Sequence, residues 1–302
     1  MAGPTGSGKS DLAIRLALEF VGEVVNCDSL QIYRHFDVGT AKLDLAEMRG
    51  IPHHLIDIAD PDQVFTAGEY ARRARQVLCG ITARGRLPIV AGGTGFYLRA
   101  LVDGLFQGPA RDDSLRERLA TRERRHPGSL HRILWRLDPA AAARIHPHDV
   151  PKVTRAAEVC LLTRRPISEL FREGRDGLRG YRVLKIGLDP GRDTLYQRLD
   201  ARCERMFAAG LVDEVRRVLA LGYPPEAKPF ESHGYKQALQ LLRGELNEKE
   251  ALFYARRNTR RYAKRQMTWF RREPGMEWFR GFGDEEPIAE AVVARVRNFL
   301  AA

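Results

Sequence analysis

Apolar positions along the chain follow two periods, and the period changes with position. Leu12, Ala13, Leu16, Ala17 and Phe20 lie at i, i+1, i+4, i+5 and i+8, one face of an amphipathic helix. Residues 23–27 and 87–91 are short apolar runs suited to strands, and 54–58 is a third candidate. Between them, Thr66 followed by Glu69 has the spacing of a capping box and predicts a helix over 66–84. Strands alternating with helices imply a parallel sheet with helices on both faces, whose ligands gather at the C-terminal strand ends.

The texture changes near Pro109. Residues 111–179 have helical periodicity and no convincing strand, and eight arginines fall between Arg111 and Arg136. Strand character returns at 181–188. A helix or helix pair then spans 193–221, broken near Gly210, and a long helix covers 247–272. The pattern predicts a discontinuous core, 1–110 and 180–302, carrying an all-helical insertion at 111–179.

Composition narrows the partners. No stretch of about 18 apolar residues is present, so no membrane span is expected. Met1 leads straight into a glycine-rich segment, which is not the form of a secretion signal. Cys27, Cys79, Cys160 and Cys203 show no C-x-x-C spacing, so a disulfide framework or zinc site is not expected and a cytoplasmic location is. A formal charge of +11 favours a polyanionic partner.

The sharpest chemical signal is Gly3-Pro4-Thr5-Gly6-Ser7-Gly8-Lys9-Ser10, a full match to the phosphate-binding pattern G-x-x-x-x-G-K-[ST]. Such a loop rings a phosphate with backbone N–H groups and places it at a helix N-terminus. Lys9 adds a mobile charge, and Ser10 offers a hydroxyl to a divalent cation, usually Mg²⁺. Together with the alternating strands it implies an α/β fold of the P-loop NTPase type. Only Met1 and Ala2 precede Gly3, where a buried strand normally stands, so the slot of that strand is expected to be missing or filled by another segment.

Four further clusters carry candidate chemistry. Asp28, just past a strand end, reads equally as a base, a metal ligand, a ribose contact or a turn-forming residue. Gly92-Gly93-Thr94-Gly95 lets a ligand approach the backbone, with Thr94 the one hydroxyl at that strand end. The strand ends in no acidic residue, which argues against plain nucleotide hydrolysis. Arg216 and Arg217 stand on a helix from which either could reach a phosphate or simply face solvent. Residues 256–272 interleave eight cations with Tyr262, Trp269 and Phe270, a density suited to following an RNA backbone.

Taken together, residues 3–10, Asp28-Ser29-Leu30-Gln31-Ile32-Tyr33, Asp37-Val38-Gly39-Thr40-Ala41-Lys42, His53-His54-Leu55-Ile56-Asp57, Gly92-Gly93-Thr94-Gly95-Phe96-Tyr97 and Tyr262-Ala263-Lys264-Arg265-Gln266-Met267-Thr268-Trp269-Phe270 closely resemble the bacterial tRNA dimethylallyltransferase family, in the family's order and over most of the chain. Leu43 stands where that family usually has proline after Ala-Lys. The resemblance implies transfer of a dimethylallyl group from dimethylallyl diphosphate to N6 of the adenine at position 37 of a tRNA, with Mg²⁺. It implies Asp28 as general base, Thr94 as a positioning group and Arg216 on the diphosphate, with the loop Gly3 to Ser10 holding that leaving group. It further implies tRNA contacts at Asp28, Ser29, Leu30, Gln31, Thr94, Arg116, Pro151, Lys152, Val153, Thr154 and Arg155. Arg260, Arg261 and Lys264 of the basic helix are expected to bind the tRNA, and the Arg-rich face of the insertion to grip its anticodon stem, in a monomeric enzyme. The rivals are a dimethylallyltransferase acting on free AMP, a small-metabolite kinase, and an RNA-binding protein with a vestigial loop; the two basic regions favour tRNA over AMP.

Overall fold

The computed structural model describes residues 1–302, and the chain divides into two compact units, Met1–Leu101 with Gly180–Ala302, and Val102–Arg179. The first unit opens with α1 (Lys9–Glu19), β1 (Gly22–Asn26), β2 (His53–His54), α2 (Ala67–Ala83), β3 (Leu87–Ala91) and α3 (Gly95–Val102). The second unit holds α4 (Asp113–Arg125), α5 (Ser129–Leu137), α6 (Pro139–Arg144), α7 (Val150–Thr163) and α8 (Ile167–Arg172). The first unit then resumes with β4 (Lys185–Leu188), α9 (Arg192–Ala208), α10 (Leu211–Ala220), α11 (Tyr235–Leu242), α12 (Glu248–Phe270), β5 (Met276–Phe279) and α13 (Glu286–Ala301). The fold is mixed α/β with a small parallel sheet and many helices.

All strand pairings are parallel: β1 lies between β2 and β3, and β4 pairs with β5. The slot expected to be missing is filled. Ala2 bridges Gly92 on one side and Gly187 on the other, its N–H donating to Ile186 O at 2.8 Å while Leu188 N–H donates to Ala2 O at 3.0 Å. The Met1 amine reaches Val90 O at 2.6 Å. Two residues therefore join the strand pairs into one run, β2-β1-β3-(Met1-Ala2)-β4-β5, and deliver the chain to Gly3 at its centre.

Side chains from α1 (Leu12, Ala13, Leu16) and α13 (Val292, Val293, Val296) cover one face of this run with Val24, Ile89, Ile186 and Leu188. Val25, one residue on from Val24, points to the other face, where α2 packs through Tyr70, Ala74 and Leu78. The start of α2 is capped as predicted on one side only. Thr66 Oγ1 accepts from Glu69 N–H at 3.1 Å, but the Glu69 carboxylate binds Arg72 and Arg73 and does not close the box. Strand β2 is shorter than its apolar run because Leu55 and Asp57 adopt positive φ and turn the chain away. The predicted break near Gly210 is a true one: Gly210, at φ 91°, ends α9 and begins α10.

Candidate active site

Gly8 begins α1 in the left-handed conformation and offers no side-chain cap. The first N–H groups of the helix are thus left for an anion. A Cβ at Gly8 would lie 2.3 Å from Asp284 Oδ1, so only glycine lets the loop pass beneath residues 283–284. The loop is held from both sides. Gly283 N–H donates to Ser7 O at 2.9 Å. Thr5 N–H donates to Gln266 Oε1 at 2.8 Å, while Gln266 Nε2 donates to Gly93 O at 2.8 Å. Buried Gln266 on α12 thereby ties the loop to the end of β3.

Lys9 folds back over its own loop, donating to Pro4 O at 2.6 Å. Burial pushes its pKa down to about 8, against the pull of the Asp28 charge and with the push of Arg202. A cation desolvated in this way gains strongly when an anion enters.

Loop residues Thr5 to Asp11, the strand ends at Asn26, Asp28 and Gly92-Gly93, the strap at 37–43, and Arg198, Arg202 and Arg205 of α9 line one cleft of about 640 Å³. Asp28 is set by its own turn: Leu30 N–H donates to Asp28 Oδ1 at 2.8 Å, and Asp28 N–H donates to Asn26 Oδ1 at 3.1 Å. The Thr94 hydroxyl accepts from Ser29 N–H at 3.0 Å and lies 3.2 Å from Ser29 Oγ. Thr94 thus fastens the residue beside Asp28 to the end of β3. The strap is held by buried Glu214, whose carboxylate accepts from Asp37 N–H at 3.1 Å and Val38 N–H at 2.9 Å, and from the Tyr235 hydroxyl. Gln31 donates to Thr40 O and Ala41 O, so it braces the same strap.

The arginine of the cleft is not the one expected. Arg216 is exposed, paired with Asp213, and does not line the cleft. The reason is helical phase: Leu211, Glu214, Val215 and Val218 turn inward on α10, which sends Arg216 to solvent. On α9, Leu195, Leu199 and Cys203 are buried, and Arg202 and Met206 share their stripe. Arg202 therefore points inward, its charge disfavoured by burial and supported by Cys203 and Asp28. The signal was present in sequence as a cation three residues after Leu199 on an apolar face. Arg198 stands beside it, held bidentately by Asp284 at 2.9 Å through each nitrogen.

Hard oxygen donors are the only groups in the cleft suited to a divalent cation. Ser10, exposed on the first turn of α1, lines the cleft with Asp11, Asp28, Asp37 and Glu47. No set of three or more metal-binding side chains converges. That composition fits a cation such as Mg²⁺, which is usually held by few protein groups and completed by substrate phosphate and water.

The expected RNA contacts divide. In the helical unit, Arg116 and Arg155 are spent on Glu158, a fully buried carboxylate that accepts from Arg116 at 2.8 Å twice and from Arg155 at 2.7 Å. Burial alone would raise the pKa of Glu158, but these bonds and one from Asp112 N–H together outweigh it and bring it to about 2. A buried carboxylate needs such partners, so Arg116 joins α4 to α7 while Arg155 braces Glu158 within α7, and neither is a free cation. Val153 is a core residue, 1% exposed. Lys152 is exposed and paired with Asp149; Pro151 is exposed at the start of α7, and Thr154 is half-buried. On α12, Arg260 pairs with Asp200 at 2.6 Å and Arg256 with Glu204, which fixes α12 to α9. Arg261 and Lys264 are exposed. Lys264 lines an open depression with Arg99, Arg265, Thr268, Trp269 and Arg272, where the Arg99 guanidinium stacks 4.5 Å above the Trp269 ring.

A glycine-rich loop at a helix start, a fixed carboxylate across the cleft and inward-facing Arg202 therefore meet in one α/β cleft. The chain belongs to the IPP transferase family, whose model matches residues 31–273. It is 70% identical over 300 residues to the tRNA dimethylallyltransferase of Solibacter usitatus, covering 99% of this chain and 98% of that one. The tRNA isopentenylpyrophosphate transferase of Bacillus halodurans has a similar structure, with a TM-score of 0.72 at 36% identity over 99% of this chain and 94% of that one. A eukaryotic dimethylallyltransferase acting on tRNA superposes with a TM-score of 0.86 at 29% identity, covering 99% of this chain and 78% of that one.

Proposed function

We propose that this chain transfers the dimethylallyl group of dimethylallyl diphosphate to N6 of adenosine 37 in tRNA, as a cytoplasmic monomer. The observation that carries the mechanism is the convergence of the loop at 3–10, Lys9, Arg202 and Asp28 on one cleft. The loop serves as a phosphate-binding loop of P-loop type, and its ligand is a leaving diphosphate. Negative charge grows on that diphosphate as the allylic C–O bond breaks. Backbone N–H groups at the start of α1, the Lys9 ammonium and the Arg202 guanidinium are aimed at that charge and stabilise it. Ser10 would hold Mg²⁺, which when bound supplies further positive charge to the diphosphate.

The acceptor is an exocyclic amine whose lone pair is conjugated with its ring. Its proton leaves as the C–N bond forms, and Asp28 takes it as general base. Leu30 N–H and the Thr94–Ser29 contacts hold the Asp28 turn in place. The adenine must leave its stack to reach the cleft. Exposed Lys264 and Arg272 in the depression with Trp269, together with exposed Arg261 on the same helix, suit a phosphate backbone.

The test is acceptor choice. With radiolabelled dimethylallyl diphosphate and either tRNA or AMP, label is expected on tRNA; transfer to AMP alone would overturn the tRNA reading.

A further inference from the structure

The segment that carries Asp28 has little regular structure, since no helix or strand lies between Asn26 and His53. Its path is set by side chains that reach in from α10 and α11. Glu214, 3% exposed, accepts from three successive backbone N–H groups, those of Asp37 at 3.1 Å, Val38 at 2.9 Å and Gly39 at 3.5 Å. Fully buried Tyr235 donates its hydroxyl to the same carboxylate and accepts from Gly39 N–H at 3.0 Å. We propose that Glu214 and Tyr235 are positioning residues for the proton transfer: they set the strap at 37–41 and, through Gln31, the turn that presents Asp28 to the acceptor amine. The inference rests on the reading of Asp28 as the base.

Three observations support it. The first is a continuous path of contacts. Gln31 Nε2 donates to Thr40 O at 3.1 Å and to Ala41 O at 3.3 Å. Gln31 directly follows Leu30, whose N–H closes the turn onto Asp28 Oδ1 at 2.8 Å. The Asp28 turn is thereby held on one side by Thr94, through Ser29, and on the other by the strap. Val38, Thr40 and Asp28 all line the cleft, so the strap and the base border one space.

The second is the kind of bond used. Burying a carboxylate is costly, and well-packed apolar side chains would join two elements at least as well. Apolar packing does not orient single peptides. A charge that accepts from consecutive N–H groups fixes each of those peptides in direction as well as in place. Tyr235 adds to the constraint, because its ring lies against Gly39, where a Cβ would come 2.4 Å from Tyr235 Cε2. Burial, and then the Glu214 charge, hold the Tyr235 hydroxyl far above the usual tyrosine range, so it remains a donor.

The third is that the strap has anchors of its own. Lys42, whose side chain is 5% exposed, donates to Tyr33 O at 2.6 Å and pairs with Asp37 at 2.7 Å and Asp57 at 2.5 Å. None of these contacts involves α10 or α11. The Phe36 ring packs against those of Phe230 and Tyr235, with centroids 5.0 and 4.7 Å away. Removing the Tyr235 hydroxyl alone therefore keeps the strap attached and takes away only its fine alignment, which is the change that isolates a positioning role.

The experiment measures single-turnover dimethylallyl transfer to tRNA in Tyr235→Phe, Glu214→Gln and Glu214→Ala, and in Tyr235→Phe combined with Asp28→Asn, at a temperature where thermal unfolding shows the protein folded. Tyr235→Phe is expected to slow transfer by about 10- to 100-fold, the size of an ångström-scale misplacement. Inhibition by inorganic diphosphate, which reads the loop, Lys9 and Arg202, should stay at its wild-type value. Glu214→Gln keeps one acceptor oxygen for the strap's N–H groups and should lose less than Glu214→Ala. Over Asp28→Asn, the Tyr235→Phe change should cost almost nothing, because a residue that acts through the base then has no base to act on. Tyr235→Phe is the mildest of these changes and keeps the test alive should Glu214→Ala fail to fold. Full activity in Tyr235→Phe, an equal cost with and without Asp28, or diphosphate inhibition lost in step with turnover each overturns the positioning role alone. Full activity in Asp28→Asn itself would overturn the base reading and this inference with it.

Discussion

At the scale of single residues, Asp28 and Arg202 carry the most specific expectations. Replacing Asp28 by Asn keeps the turn's shape but removes the base, so turnover on tRNA should fall by about 10²–10⁴ with tRNA affinity retained. Full activity in that variant would take Asp28 out of the mechanism. Arg202→Ala removes a preorganised charge from the leaving group and should cost about 10²–10³ in kcat. Arg216→Ala, on the solvent face of α10, should change kcat by less than about twofold. Equal losses in the two arginine variants would contradict the assignment. Lys9 adds a pH dependence. Its pKa in the free protein is about 8, and a bound anion raises it, so binding takes up a proton once the solution is more alkaline than that. Affinity for inorganic diphosphate, measured by calorimetry, should therefore be flat below about pH 8 and fall above it, relative to Lys9→Ala, whose profile reports the ligand's own titration.

At the scale of elements, Glu158 explains why arginines in a basic segment need not face RNA. Arg116→Ala leaves a buried carboxylate short of a partner and should destabilise the helical unit by about 3–5 kcal/mol in chemical denaturation. The sign of the pH effect follows from the lowered pKa. The Glu158 contribution is fully present above the unfolded value of 4.5 and is lost as pH falls from there toward about 2. Thermal unfolding of wild type should weaken over that window, and Glu158→Gln should flatten the response. Here too the limits of sequence are physical. Helix α12, with Asn247 and Glu250 closing a full capping box, was legible because caps are local chemistry. So was the loop at 3–10, because its spacing is its mechanism. Arg202 was harder to see, since a cation on an apolar stripe resembles a snorkelling surface residue until the partner element is known. The roles of Arg116, Arg155 and Arg260 were hidden altogether. Arg116 and Arg260 depend on acids 42 and 60 residues away, Glu158 and Asp200, that meet them only in three dimensions, and the i,i+3 pair of Arg155 with Glu158 gains its meaning only once Glu158 is known to be buried. Strand β5 was missed because, unlike β4 at the end of the longer strand-like run 181–188, Met276–Phe279 stands alone between turn residues.

At the scale of the whole molecule, many of the 50 Lys and Arg side chains are committed to internal ion pairs, which leave the net charge of +11 unchanged but decide which cations carry it. Arg261, Lys264 and Arg272 are among the exposed cations of α12 and its C-terminal end that have no carboxylate partner. Neutralising all three to Gln should weaken tRNA binding and reduce the slope of log affinity against log salt by about one unit per lost contact. Arg260→Gln should instead lower stability and leave that slope nearly unchanged. No helix is long and apolar enough to cross a membrane. The central claim is that one cleft joins a leaving diphosphate to an adenine of tRNA. The most direct measurement incubates unmodified tRNA with the protein, Mg²⁺ and dimethylallyl diphosphate, then maps the modified nucleoside by digestion and mass spectrometry. The account predicts one dimethylallyl group on N6 of adenosine 37 and an equivalent of released diphosphate. A prenyl group elsewhere, or phosphoryl transfer from ATP with no prenyl transfer, would contradict it.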